Sequence, residues 1–142
     1  MGPIRDAFHM IRDIRRQGLA IDLWGAALNG PQAIGGLVYI GTLEGRAILG
    51  TLIVTLLVAG QIHKRQPFSR LTGLCHLPWL ALLPWLVDRL LSTHALSAFT
   101  VWLGYVAIVI AISLVFDGLD VWRYARGDRR FAWSRSGPSP TP

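Results

Sequence analysis

The chain has 142 residues, of which 52% are hydrophobic and only 15% charged, and its mean hydropathy is +0.43. Soluble domains carry about 25% charged residues, and here the apolar residues lie in unbroken runs, so an ordinary soluble fold is excluded. The net charge of +6 would suit nucleic acid, but in a membrane protein an arginine excess reports orientation and contact with anionic lipid. No nucleic-acid partner is expected.

The first 22 residues do not read as a signal peptide, because Arg5, Asp6, Arg12, Asp13, Arg15, Arg16 and Asp22 interrupt any apolar core. Ile4, Phe8, Ile11, Ile14, Gly18 and Ile21 recur at helical spacing, with Arg5, His9, Arg12 and Arg16 on the other side. Residues 1–22 are therefore expected to form a basic amphipathic arm in a membrane interface. An ordinary helix packed on the rest of the protein is the alternative.

A bilayer core takes about 20 apolar residues per helix. Residues 23–43 lack charge, but Asn29-Gly30-Pro31-Gln32 interrupts them and Gly25, Gly35, Gly36 and Gly41 weaken helix propensity. This segment could span, or form a re-entrant or interfacial element. Spans are expected at about 46–63, at 71–88 despite Pro78 and Pro84, and at 95–117, which contains 22 uncharged residues from Ala95 to Phe116. Prolines are tolerated in lipid because neighbouring helices satisfy the freed carbonyls. From 127 to 142 the chain is polar and proline-rich, and a disordered cytoplasmic tail is expected.

Charge sets the orientation. With four spans, one side holds the N-terminal arm, the loop from His63 to Arg70 and everything after Phe116. That side carries twelve of the fourteen Lys and Arg residues, leaving Arg46 and Arg89 opposite; with three spans the split would be eight to six. The positive-inside rule favours four. The expected fold is all-α: a four-helix transmembrane bundle over residues 23–126, with both termini cytoplasmic in a bacterial inner membrane.

Few groups could carry chemistry. Glu44 and Arg46 flank Gly45 in what reads as a tight outer turn, either pairing across it or pointing inward to bind a polar group. His76 lies inside the third span, about 9 Å of helix from Arg70, and Asp117 lies the same distance from Arg123. The connection from Asp88 to His94 is short, so these spans should be antiparallel neighbours that bring His76 and Asp117 together. Asp120 shares a helix face with Asp117 and could pair locally with Arg123. Such a cluster could relay protons, bind a ligand or dock helices. Cys75 and His76 are adjacent and point about 100° apart, no metal-ligand or phosphate-loop spacing occurs, and no catalytic motif is found. No cofactor and no enzymatic activity are expected. The six tryptophans lie more toward span ends than middles, and interfacial anchoring explains most of them, with an aromatic-lined pocket as the weaker alternative.

The string from Arg70 to Trp79 (RLTGLCHLPW), together with Pro84-Trp85-Leu86, Glu44-Gly45-Arg46 and the ending from Asp117 to Arg129, resembles a group of small uncharacterised bacterial inner-membrane proteins. The resemblance covers roughly residues 39–129 and implies an apolar span before the Glu-Gly-Arg segment. It brings no activity. A non-enzymatic accessory or helix-interaction protein is expected, contacting anionic headgroups and a protein partner or a second copy. The alternative is a small transport or proton-handling module using His76 and Asp117.

Overall fold

The computed structural model describes residues 2–93 and 95–128. Among them the fold is all-helical: α1 (Pro3–Arg15), α2 (Leu19–Val38), α3 (Leu43–Arg65), a 3-10 helix (Arg70–His76) running directly into α4 (Leu77–Leu91), and α5 (Ala98–Ala125). Three stretches are long and apolar enough to cross a membrane: Leu43–Arg65, Arg70–Leu91 and Ala98–Ala125. The expected fourth, residues 23–43, is the 20-residue helix α2, which falls short of that apolarity. The arm also ends earlier than expected, at Arg15, and α2 begins before residue 23. Gly18, at φ 151°, separates the two helices. The proline-rich tail expected to be disordered lies outside the described residues beyond Asp128.

Each boundary has a local cause. Thr42 caps α3 by accepting the Gly45 N–H at 3.0 Å, and Ser97 and Thr100 form a reciprocal capping box at the start of α5. Gly45 is not a turn residue. It lies inside α3, where a Cβ would stand 2.1 Å from the Tyr39 carbonyl oxygen, so a glycine lets the preceding turn fold against the helix.

Proline does not break α2. Pro31 lacks the N–H that would bond the carbonyl of Ala27 four residues back. That carbonyl instead accepts the Tyr105 hydroxyl of α5 at 2.7 Å. One turn along, the Trp102 indole of α5 donates to the Pro31 carbonyl at 2.9 Å. Asn29 and Gln32, which read as interruptions, turn their amides onto the helix's own Gly25 and Leu28 carbonyls. Further contact between Trp24 and Phe116 shows that α2 runs antiparallel to α5 over most of its length.

The core lies among α2, α3, α4 and α5, where Ile48, Trp79, Leu86, Leu103, Val106 and Ile110 are each at most 1% exposed. α1 stands outside it. Asp6, Ala7, Met10 and Asp13 all meet the last two turns of α3, with Ala7 seated on Gly60 and Met10 beside Ala59 and Cys75, so α1 crosses α3 rather than running along it. A Cβ on Gly60 would approach the Ala7 backbone nitrogen to 2.7 Å. The face turned inward is Asp6, Ala7 and Met10, whereas Ile4 and Phe8 are 65% and 69% exposed. The arm docks through Asp6, Ala7 and Met10, with Ile11 and Ile14 partly buried against the cluster around Met10, and leaves Ile4 and Phe8 outward.

Candidate functional site

Polar side chains collect at the two ends of the bundle. The larger group is at the end formed by the C-terminus of α3, the 3-10 helix and the C-terminus of α5. There α3 gives way to a turn in which Phe68 adopts φ 56°, a left-handed conformation unusual for a bulky residue. Its ring packs edge-on against His63 at 5.0 Å. Ser69 then caps the 3-10 helix by accepting the Leu71 N–H, which places Arg70 and His76 at its two ends.

His76 Nδ1 lies 2.7 Å from Asp117 Oδ2, and each side chain is 17% exposed. The imidazole is also stacked on Trp79, with centroids 4.1 Å apart and planes 18° from parallel. Gly73 makes the approach possible, since a Cβ there would be 2.8 Å from Asp117 Oδ1. His76 lies within the apolar stretch Arg70–Leu91, as expected, but not in an α-helical part of it. It is the last residue of the 3-10 helix and caps α4. Trp79, read as an interfacial anchor, is instead fully buried, and its indole N–H has no hydrogen-bond partner among the described residues.

Asp120 does not pair with Arg123. It bonds the guanidinium of Arg70, whose other terminal nitrogen donates to Asp128 at 2.8 Å. Arg70 is 5% exposed, a buried cation that ties the start of the 3-10 helix to the end of α5. Arg123 is exposed and lies outside this cluster. Arg70 was not singled out in the sequence because its carboxylate partners are 50 and 58 residues away. No local spacing signals such a pair.

At the other end, Glu44 is buried and accepts from Arg89 Nε at 2.7 Å. It does not pair with Arg46, whose guanidinium is exposed and donates to the Thr42 carbonyl. Both residues are helical, and residues two apart on a helix point away from each other. The expected outer turn is therefore an α3–α4 clasp.

A carboxylate that orients an imidazole can hold it as a base, but base catalysis also needs a nucleophile and a place for substrate. The adjacent Cys75 is buried in contact with Met10 and Ala59, and no group of three metal-ligating side chains occurs among the described residues. Between the two polar ends the bundle is filled. Ile48 is one turn from Glu44, Leu86 is one turn from Arg89, and Leu103, Val106 and Ile110 pack between them and Trp79. Among the described residues, the buried side-chain polar atoms in that interval without a hydrogen-bond partner are Gln32 Oε1, Thr55 Oγ1 and Trp79 Nε1. Comparison with family models, curated proteins and solved structures gives no match.

Proposed function

We propose that the chain is a four-span protein of a bacterial inner membrane, with both termini cytoplasmic, acting without catalysis as an accessory or helix-interaction subunit. The observation that carries this reading is the sealed interior. A proton or solute route from Glu44 to His76 would have to cross the packed layers of Ile48, Leu86, Leu103, Val106 and Ile110, all within 1% of complete burial. On this reading the His76–Asp117 contact docks the 3-10 helix on α5, and the packed interior supports the accessory role better than the transport alternative. The fourth span is α2. It lies antiparallel to α5, and donors from α5 reach the carbonyls around its proline, as hydrocarbon requires of irregular backbone.

The outward face of α2 supports helix contacts. Ala26 and Gly30 stand four residues apart on it, and nothing lies within 4 Å of a Cβ built on Gly30. Small residues at this spacing let a second helix approach closely in lipid.

Two measurements test the reading. Proteoliposomes carrying an internal pH dye should leak no faster than protein-free vesicles under a proton gradient; a flux abolished by Asp117→Asn would overturn it. Gly30→Leu should leave the fold's stability within about 0.5 kcal/mol and should dissociate a stoichiometric partner or second copy from the protein extracted in mild detergent. Cysteine labelling fixes topology, and a periplasmic N-terminus would sink the four-span arrangement.

A further inference from the structure

At the His76 end, each acidic side chain among the described residues is tied to a base of this chain. Asp6 meets Lys64, Asp13 meets His63, Asp22 meets Arg15, Asp117 meets His76, and Asp120 and Asp128 share Arg70. The guanidiniums of Arg5, Arg12, Arg16, Arg65, Arg123 and Arg126 are exposed at the same end, with no ion-pair partner among the described carboxylates. The fold consumes its own anions internally and displays the cations.

Half of those cations line one feature. An open groove of about 1000 Å³ runs along the outward side of α1 to Asp22 of α2. Ile4, Phe8 and Ile11 recur at i, i+4 and i+7 and form an apolar strip along it. Arg5, Arg12 and Arg16, at i, i+7 and i+11, form a parallel cationic strip. The Arg15–Asp22 ion pair, at 2.8 Å, joins α1 to α2 beside it. Depth is set by the docking on α3: Gly60, under Ala7, is about 7.5 Å of helix from Arg65. That is the level at which interfacial helices sit, about 5–10 Å into the headgroup and acyl boundary.

We propose that this groove binds an anionic phospholipid of the leaflet at the His76 end. Its headgroup phosphate is attracted by the strip of Arg5, Arg12 and Arg16, which spreads along about 16 Å of helix, and an acyl chain lies along Ile4, Phe8 and Ile11. The assignment rests on the bilayer reading above. Charge alone would admit nucleic acid or an acidic protein. The apolar strip beside the arginines selects a ligand that carries its negative charge next to a hydrocarbon chain.

The test uses the full-length protein in a neutral maltoside detergent, with native mass spectrometry of retained lipid. Phosphatidylglycerol should be retained over phosphatidylcholine of the same chain length by on the order of a hundredfold, given several-fold per basic residue. Arg5→Gln/Arg12→Gln/Arg16→Gln should reduce the ratio to within a few-fold. Arg123→Gln/Arg126→Gln, at the end of α5 and outside the groove lining, should leave it unchanged. Phe8→Ser should weaken retention of the lipid without creating retention of glycerophosphate, which has the headgroup chemistry and no chain. Equal retention of the two lipids, an unchanged ratio in the triple variant, or preferential capture of a 20-nucleotide RNA over the lipid would each overturn the proposal. Labelling of Met10→Cys in a Cys75→Ser background reports whether α1 remains docked in each variant. A cytoplasmic N-terminus with no lipid preference removes the groove assignment alone, whereas a periplasmic one removes the bilayer reading beneath it.

Discussion

Replacing Tyr105 with phenylalanine isolates a single hydroxyl whose purpose is legible in the geometry. The hydroxyl donates at 2.7 Å to the Ala27 carbonyl, the group that Pro31 leaves without its helical donor. Tyr105 is 38% exposed on the outer side of the bundle. In water, solvent would replace the lost donor and the change would be nearly silent. In a bilayer no solvent is available there, and an unsatisfied carbonyl costs about 1–3 kcal/mol, while interhelical hydrogen bonds in membranes measure about 0.6 on average and 1.7 at most. Tyr105→Phe should therefore destabilise by about 1–1.5 kcal/mol in bicelles. Pro31→Ala restores the missing N–H, so Ala27 regains a donor from its own helix. In that background Tyr105→Phe should cost no more than about 0.5 kcal/mol, giving a coupling near 1 kcal/mol in a double-mutant cycle. Steric trapping in bicelles measures all four corners. If Tyr105→Phe costs the same in both backgrounds, within about 0.3 kcal/mol, the hydroxyl does not serve the proline and the reasoning fails.

Gly60→Leu places a side chain where the Ala7 backbone stands 2.7 Å away, and backbone cannot give as a flexible side chain can. α1 should lift from α3 at a cost of about 1–3 kcal/mol, seen as thiol reactivity of Met10→Cys in a Cys75→Ser background; continued protection would show that the crossing adjusts. A hydrogen bond from the Lys64 ammonium, at 3.0 Å, holds the Asp6 carboxyl below its ordinary value. A depressed carboxylate stabilises the docked form above its unfolded pKa of about 4 and loses that contribution as pH falls through the folded value. Spin labels at Phe8 and Val54 should therefore separate on acidification below about pH 4, and Asp6→Asn should weaken docking already at pH 7; an unchanged titration in Asp6→Asn would assign the effect elsewhere. Asp117→Ala should destabilise more alone than in a His76→Leu background, with a coupling of about 0.5–3 kcal/mol; additive effects would mean that the 2.7 Å contact contributes nothing specific.

The sequence is legible where a property is local or where topology leaves no choice. The long uncharged runs give three helices long and apolar enough to cross a membrane, because no charge interrupts their apolar residues. His76 and Asp117 could be matched because the connection between α4 and α5 is too short for anything but an antiparallel pair. Residues 29–32 were ambiguous because every local signal, from Asn29 to Gln32, argues against a helix. The donors that overrule it, Tyr105 and Trp102, lie 78 and 71 residues from their acceptors. Glu44 and Arg46 misled for a different reason. Placing them in a turn suggested a pair, but once Thr42 caps α3 they are helical neighbours facing apart, and Arg89 is free to reach Glu44. The arm's stripe of Ile4 and Phe8 is expected at a membrane interface and is exposed; the docking face, Asp6, Ala7 and Met10, was not legible because Gly60, Gln61 and Lys64, which receive it, lie more than fifty residues away.

Arg70 carries this argument furthest, because a buried cation is weak evidence of stability and strong evidence of arrangement. Desolvating a guanidinium and its carboxylates costs about as much as their attraction returns, and replacing a buried ion pair with apolar side chains is often neutral or stabilising. Removing one partner alone costs about 3–5 kcal/mol; because Asp120 is 17% and Asp128 38% exposed, Arg70→Ala should fall near the lower end. The planar fork of arginine addresses two carboxylates at once, which a single ammonium cannot do with the same geometry. Arg70→Lys should therefore recover at most half of the loss. Arg70→Met/Asp120→Leu should recover most of the stability while raising the mobility of residues 126–128, because Asp128 has lost its bond to Arg70. A spin label on Gly127 separates the two effects: mobility that rises while stability is restored assigns Arg70 to fixing the α5 end against the 3-10 helix. Unchanged mobility would mean that packing around Leu71 and Gly73 holds that end by itself, and the ion triad would then be incidental to the fold.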